Sequence, residues 1–183
     1  GALSADGTEG EIRRKMIERG LVEAIVILPR NLFYSTDISV TLWILNANKK
    51  ARIVHRNGEE IHYRDREKEI LFIDMRQMGE PFEKKYVRFT DEDICKVADA
   101  YHNWQREGHT ETYTDIPEFC KSVSVGEDGG IADKGFSLVP SKYIEFVNRD
   151  ESVDYDIRMK ELQLELADIL RQEAKSRESV LNV

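Results

Sequence analysis

The sequence predicts an α/β fold, with strands gathered in its first half and helices toward its end. Three observations carry this. Residues 21–28 (LVEAIVIL), 38–46 (ISVTLWILN) and 70–75 (ILFIDM) are apolar runs of strand length, rich in β-branched or aromatic side chains. A helical pattern, with Ile12, Met16 and Ile17 between charges, leads directly into the first run. The segment from Tyr155 to about Glu178 has no Pro or Gly, and Met159, Leu162, Leu166 and Ile169 recur at intervals of three and four.

In chain order, residues 10–20 (GEIRRKMIERG) predict a short amphipathic helix stopped by Gly20, where a glycine accepts the left-handed conformation that ends helices. Residues 21–28 predict a strand buried on both faces and ended by Pro29. Residues 30–37 are turn-forming and hold the aromatic pair Phe33 and Tyr34, so they predict a loop at a strand end. Residues 38–46 predict a second buried strand. The short, non-helical connection before it points to antiparallel pairing. Residues 48–68 are charged, and Asn57-Gly58 between ARIVHR and EEIHYR predicts a hairpin. Residues 70–75 predict a third strand, after which Gly79-Glu80-Pro81 closes the sheet-forming part. Thr90 with Asp93 forms a capping-box pattern for a helix from Asp91 to about Glu107 that buries Ile94, Val97, Ala98, Tyr101 and Trp104. Residues 116–121 (IPEFCK) fit either a strand or one helical turn. The seam of the last helix continues into Glu173 and Ser176, so it offers at most about two heptads of partner-facing surface.

Composition narrows the function classes. The chain has 183 residues, with 27 Lys+Arg against 35 Asp+Glu, a net charge of -8. That excludes an all-over nucleic-acid-coating surface while leaving room for a local basic patch. No apolar run approaches the roughly 20 residues that span a bilayer. Two cysteines without a Cys-x-x-Cys pair predict a reducing, cytoplasmic setting. The chain begins Gly1-Ala2-Leu3 with no initiator Met, which leads us to expect a piece of a longer protein.

Motifs of most enzyme classes are missing: there is no phosphate-binding loop, no nucleophile elbow and no His-Glu-x-x-His helix. The glycines at 126–130 read as a turn, and the four histidines (His55, His62, His102, His109) as surface groups without metal-site spacing. Cys120 reads as a half-buried structural thiol, and the acidic runs at 91–93 and 150–156 as helix N-terminal charges. Two features stand out. Between Lys49 and Lys68 there are seven basic residues against four acidic ones, in which Lys49, Lys50, Arg52 and Arg56 are candidates for DNA phosphate contacts and a solvated hairpin is the plainer reading. Asn31-Leu32-Phe33-Tyr34 puts two aromatics beyond a buried strand, where rings either pack inward or stack on a base.

Taken together, GEIRRKMI (10–17), LVEAIVILP (21–29), NLFYST (31–36), ILN (44–46) and ILFIDMR (70–76), in this order, resemble the latter half of the modification subunit of type I restriction-modification systems, an adenine-N6 DNA methyltransferase. GFSLVPSKY (135–143) resembles the motif before that subunit's C-terminal helix. The resemblance implies the C-terminal portion of a Rossmann-like methyltransferase sheet, mixed with an antiparallel last strand, followed by a helical C-terminal region. Residues 1–80 would close the methyltransferase core and 81–183 would form the helical region.

The family's cofactor glycines and its Asn-Pro-Pro-Phe/Tyr tetrapeptide lie upstream of the matched part, and the chain has no Pro-Pro. The resemblance therefore implies S-adenosylmethionine for the parent enzyme, none bound by this chain alone, and no activity alone. It assigns Phe33 as the ring that stacks on an extruded adenine, with Tyr34 second and Asn31 beside them. It assigns Met159, Leu162, Leu166 and Ile169 to contact with the specificity subunit, in a complex that also holds a restriction subunit and DNA; packing within the chain is the rival reading. A sheet missing its first half would also favour a homodimer. The competing function is a non-enzymatic interaction module that binds a partner helix.

Overall fold

The computed structural model describes residues 2–126, 128–146 and 155–181, in two compact units, Gly1–Phe146 and Val147–Val183. In the first unit, α1 (Gly7–Glu18) ends as its glycine predicts. Gly20 has φ 67°, its N–H donates to Ile17 O at 2.9 Å, and Leu21 N–H donates to Met16 O at 3.0 Å. This pair of bonds satisfies the last helical carbonyls and turns the chain into β1 (Val22–Ile27).

β1 and β5 (Glu69–Asp74) are parallel neighbours at the centre of a four-stranded sheet of order β2-β1-β5-β8, with β2 (Thr41–Leu45) antiparallel to β1 and β8 (Cys120–Ser124) antiparallel to β5. Strand alternation sorts the central side chains between two cores. Ile25, Ile70, Phe72 and Val123 meet Ile17, Leu138 and Tyr143 on one face, where the Phe72 and Tyr143 rings stack at 4.6 Å. Ala24, Val26, Leu71 and Ile73 meet Trp104 and Phe119 on the other. Each of these large side chains contributes about 1.5–3 kcal/mol by leaving water.

β3 (Arg52–Arg56) and β4 (Glu59–Tyr63) form the expected hairpin, and the positive φ of both Asn57 (52°) and Gly58 (82°) is what a two-residue turn between twisted strands requires. A second small hairpin, β6 (Glu80–Phe82) and β7 (Tyr86–Arg88), precedes α2 (Asp91–Gln105). The Thr90 box is complete: Asp93 N–H donates to Thr90 Oγ1 at 3.1 Å and Thr90 N–H donates to the Asp93 carboxylate at 2.9 Å. A four-residue helix, α3 (His109–Thr112), leads toward β8, and a 3-10 turn at Pro140–Lys142 follows it. No helix among the described residues is long and apolar enough to cross a membrane.

Four expectations need correction. β2 is an edge strand, with Leu42 and Leu45 about half exposed, because only β1 covers it. The sheet does not end at Gly79–Pro81, since β8 supplies its fourth strand; only Cys120 and Lys121 of residues 116–121 join it. Ile94 faces solvent at 54% exposure, while Trp104 is fully buried. Cys120 is buried rather than half-buried, and burial pushes its thiol pKa up, which suits a structural group. In the second unit, α4 (Tyr155–Leu181) is one continuous helix. The acidic run before it lies, through residue 154, outside the described residues.

Candidate nucleic-acid interface

The parallel pair β1 and β5 ends in register at Ile27 and Asp74, and both chains then leave the sheet on the same side. Loops beyond the carboxyl ends of parallel strands are where open α/β sheets bind ligands. Here they border a cleft of about 630 Å³ lined by Pro29, Arg30, Asn31, Arg76, Met78 and the hairpin residues Lys84 to Val87, among others.

The loop after β1 is built to present its aromatics. Leu32 packs against the core under it, which leaves Phe33 41% and Tyr34 69% exposed. Asn31 takes φ 58°, a left-handed conformation that asparagine tolerates, and its carbonyl accepts the Val87 N–H at 3.1 Å. Arg30 Nε donates to Asp37 O at 3.2 Å, closing the loop's base. The Tyr34 ring meets the edge of Tyr86 at 4.5 Å between centroids. The β6–β7 hairpin is thereby fastened to the aromatic loop. Within the hairpin the strands lie so close that a Cβ on Gly79, which has φ 92°, would stand 2.5 Å from Val87 Cγ1 and 2.9 Å from Arg88 O.

After β5, the nearly buried Asp74 organises the turn. Its carboxylate accepts the Arg76 N–H at 3.0 Å and grips the guanidinium through Nε at 3.0 Å and Nη2 at 2.6 Å. That hydrogen bonding raises the Arg76 pKa further above its ordinary value. No carboxylate lines the cleft among the described residues, against four cations, Arg30, Arg76, Lys84 and Lys85.

The basic segment 49–68 turns out differently. Lys49 is 2% exposed, and its ammonium donates to Val22 O at 2.8 Å and Glu69 O at 2.7 Å; burial pulls its pKa down to about 8. It is committed to the interior and is withdrawn as a phosphate ligand. Arg64 holds Glu69 through two bonds of 3.0 and 2.8 Å, and Arg66 meets Glu23 inside the protein. The exposed or half-exposed remainder, Lys50, Arg52, Arg56 and Lys68, is matched in number by Glu59, Glu60, Asp65 and Glu67, so no net positive patch survives. Arg52 lies over the Tyr63 ring at 5.1 Å and also bonds the Asn48 carbonyl.

Sequence reasoning missed both the cleft lysines and the network around Glu23. The signals were present: Lys84-Lys85 sits between aromatics, and Glu23 is an acid inside an apolar run. His62 lies 3.0 Å from Glu60 and 3.4 Å from Glu107 on the surface, and among the described residues no cluster is fit for a metal. Met159, Leu162, Leu166 and Ile169 are exposed on α4, described within its own unit. The turn at 126–130 includes Glu127, which lies outside the described residues.

The family model of N-6 DNA methylases matches residues 1–152. The chain belongs to that family. It is 37% identical over 164 residues to the type I restriction enzyme HindI methylase subunit of Haemophilus influenzae, covering 88% of this chain and 32% of that protein. It is 30% identical over its whole length to the MjaIX methylase subunit of Methanocaldococcus jannaschii, covering 30% of that protein. The chain thus spans about a third of the length of these curated relatives. A crystal structure of the type I restriction-modification system methyltransferase subunit from Streptococcus thermophilus superposes with TM-score 0.59 at 25% identity, over 79% of this chain and 25% of that one. A structure from work on type I R-M complex assembly shares the fold, with TM-score 0.51 and 17% identity over all of this chain and 34% of that one. The mixed α/β sheet is therefore similar to that of a type I methyltransferase subunit.

Proposed function

We propose that this chain is the part of an adenine-N6 DNA methyltransferase subunit that receives the extruded target base. The carrying observation is the exposed Phe33-Tyr34 pair beside a cationic cleft at the carboxyl ends of β1 and β5, in a chain of the N-6 DNA methylase family. Phe33 supplies the stacking face, Tyr34 braces it against Tyr86, and Asn31 sets the loop's path. In a Rossmann-like sheet, β2 would continue into further strands, and its half-exposed edge is open among the described residues to such a strand or to a second copy. Residues 1–80 supply most of that closing sheet and β8 extends it.

The cleft does not fit S-adenosylmethionine. A sulfonium and a ribose call for carboxylate and hydroxyl-binding groups, whereas the lining is cationic and without an acid among the described residues. Methyl transfer is thus assigned to groups outside this cleft, whose own part is to hold and orient the base.

The test is Phe33→Ala in the complete methylase subunit, assembled with its specificity subunit. Losing a stacking ring costs about 1–3 kcal/mol, roughly a 5- to 150-fold weaker engagement. A fluorescent adenine analogue at the target position should report less extrusion, and methyl transfer should slow in step. Unchanged extrusion and methylation would overturn the assignment.

A further inference from the structure

We propose that the β6–β7 hairpin is a phosphate clamp for the DNA strand whose base enters the aromatic loop, with Lys84 and Lys85 as its charged tip. This rests on the reading of the Phe33 loop as the base-receiving element.

The first argument is charge. In a chain of net charge -8, one cleft gathers Arg30, Arg76, Lys84 and Lys85 with no lining acid among the described residues. Asp74 offsets Arg76, and the Arg30 side chain bonds only a carbonyl in the contacts seen, so three positive charges stay available to an anion. Of the two hairpin acids, Glu80 is spent on Arg88 at 2.6 Å, and Glu83, exposed at the tip beside Lys84, does not line the cleft. Such a concentration of one sign in a concave surface focuses the field on whatever polyanion approaches.

The second argument is mechanical. Tyr34 against Tyr86 and Asn31 O with Val87 N–H make hairpin and aromatic loop move together. Lys85 also lies 5.3 Å over the Tyr86 ring, the same ring that braces Tyr34. The tip itself is held in an uncommon shape, with Glu83 at φ 53°. A base extruded onto Phe33 drags its own phosphates past this wall, so the two contacts would be made by one strand. Backbone contacts of this kind fix register and carry no sequence information.

The experiment uses the complete methylase–specificity complex and a fluorescein-labelled DNA duplex, titrated over a range of salt. Each phosphate neutralised contributes a slope of about 0.9 in log affinity against log salt. Lys84→Gln/Lys85→Gln should make the slope shallower by about 2. Lys84→Arg/Lys85→Arg, which keeps both charges, should leave it as in the wild type. Both side chains are solvent-exposed, so the fold should survive, and an unchanged circular dichroism melt checks this. An unaltered slope in the Gln variant overturns the clamp; if Phe33→Ala still impairs base extrusion in that case, the base-receiving reading stands without it. A wild-type complex that fails to bind DNA would overturn both.

Discussion

The buried ion pair between Glu23 and Arg66 is where a single substitution should be most damaging. Both side chains are at 0% exposure. Glu23 Oε1 accepts from Arg66 Nε at 3.0 Å and from Gln105 Nε2 at 2.8 Å, with Nη2 of Arg66 2.9 Å away as a charge contact, and Asn46 bonds the other oxygen. Glu23→Leu fits an apolar side chain into the space but strands a guanidinium and two amide donors without their acceptor. Stranding a buried charge costs about 3–5 kcal/mol, a large part of the 5–15 kcal/mol that holds a domain together. Arg66→Met added to Glu23→Leu removes the stranded charge; the Gln105 and Asn46 amide donors stay stranded as in the single variant, and the Arg64 carbonyl, which had accepted Arg66 Nη1 at 2.6 Å, joins them at about 1–3 kcal/mol, less than the charge had cost. The double variant should therefore be more stable than the Glu23→Leu single. Urea unfolding of the chain, followed by the fluorescence of the fully buried Trp104, measures both. With a slope near 2 kcal/mol per molar, the single variant should lose about 2 M in midpoint. A loss below about 1 kcal/mol for the single, or a double that costs the sum of both singles, would refute the claim that these two charges are coupled in a dry site.

Three further outcomes follow from the same structure. Lys49 has a folded pKa of about 8 against 10.5 for the free side chain, so above pH 8 the unfolded chain binds the extra proton and rising pH favours folding. Relative to Lys49→Met, the wild type should gain up to about 3 kcal/mol between pH 8 and 10.5 and lose it again as pH falls through 8; a difference that is flat with pH would refute this. Tyr101, raised to about 12 by burial, favours the folded state less as pH climbs above 10, so the absolute stability should turn over there. On α4, Leu162→Ser/Leu166→Ser should weaken co-purification of the complete methylase subunit with its specificity subunit while leaving the helical signal intact; undiminished co-purification would remove these residues from the contact.

What could be read in the sequence is what short-range chemistry decides. The β1 run is apolar at nearly every position because both faces of that strand are covered, and Asn57-Gly58 dictates its turn whatever surrounds it. The Thr90 cap needs only Asp93. The failures share a cause in distant partners. CKSVS in β8 has no strong strand pattern, and the β5 edge makes it a strand. Lys49, Arg64 and Arg66 look like a surface charge run until Glu23 and Glu69 take two of them inward and main-chain carbonyls take the third. Phe33 and Tyr34 were found because they follow a recognisable strand directly. Lys84 and Lys85 were not, because only the Tyr34–Tyr86 contact brings their hairpin to the site.

The direction of the parallel pair gives these two regions different work. At the amino ends of β1 and β5, Glu23 and Glu69 draw in Arg66, Arg64 and Lys49, and the same arginines donate to the carbonyls of Trp104 and Gln105 that close α2, through Arg64 Nε at 2.6 Å and Arg66 Nη1 at 3.4 Å. Those carbonyls carry the negative end of the helix, so the cations that neutralise the buried acids also cap it. Sheet, hairpin and helix are locked by one polar cluster. At the carboxyl ends no such cluster forms among the described residues: Asp74 restrains one arginine, and the remaining loops are free to expose rings and lysines and to hold Asn31 and Glu83 at positive φ. Departures from comfortable backbone geometry are tolerable at that end because the stabilising contacts lie at the other. Substitutions near Glu23 should accordingly change unfolding before they change DNA engagement, and substitutions near Phe33 and Lys84 the reverse.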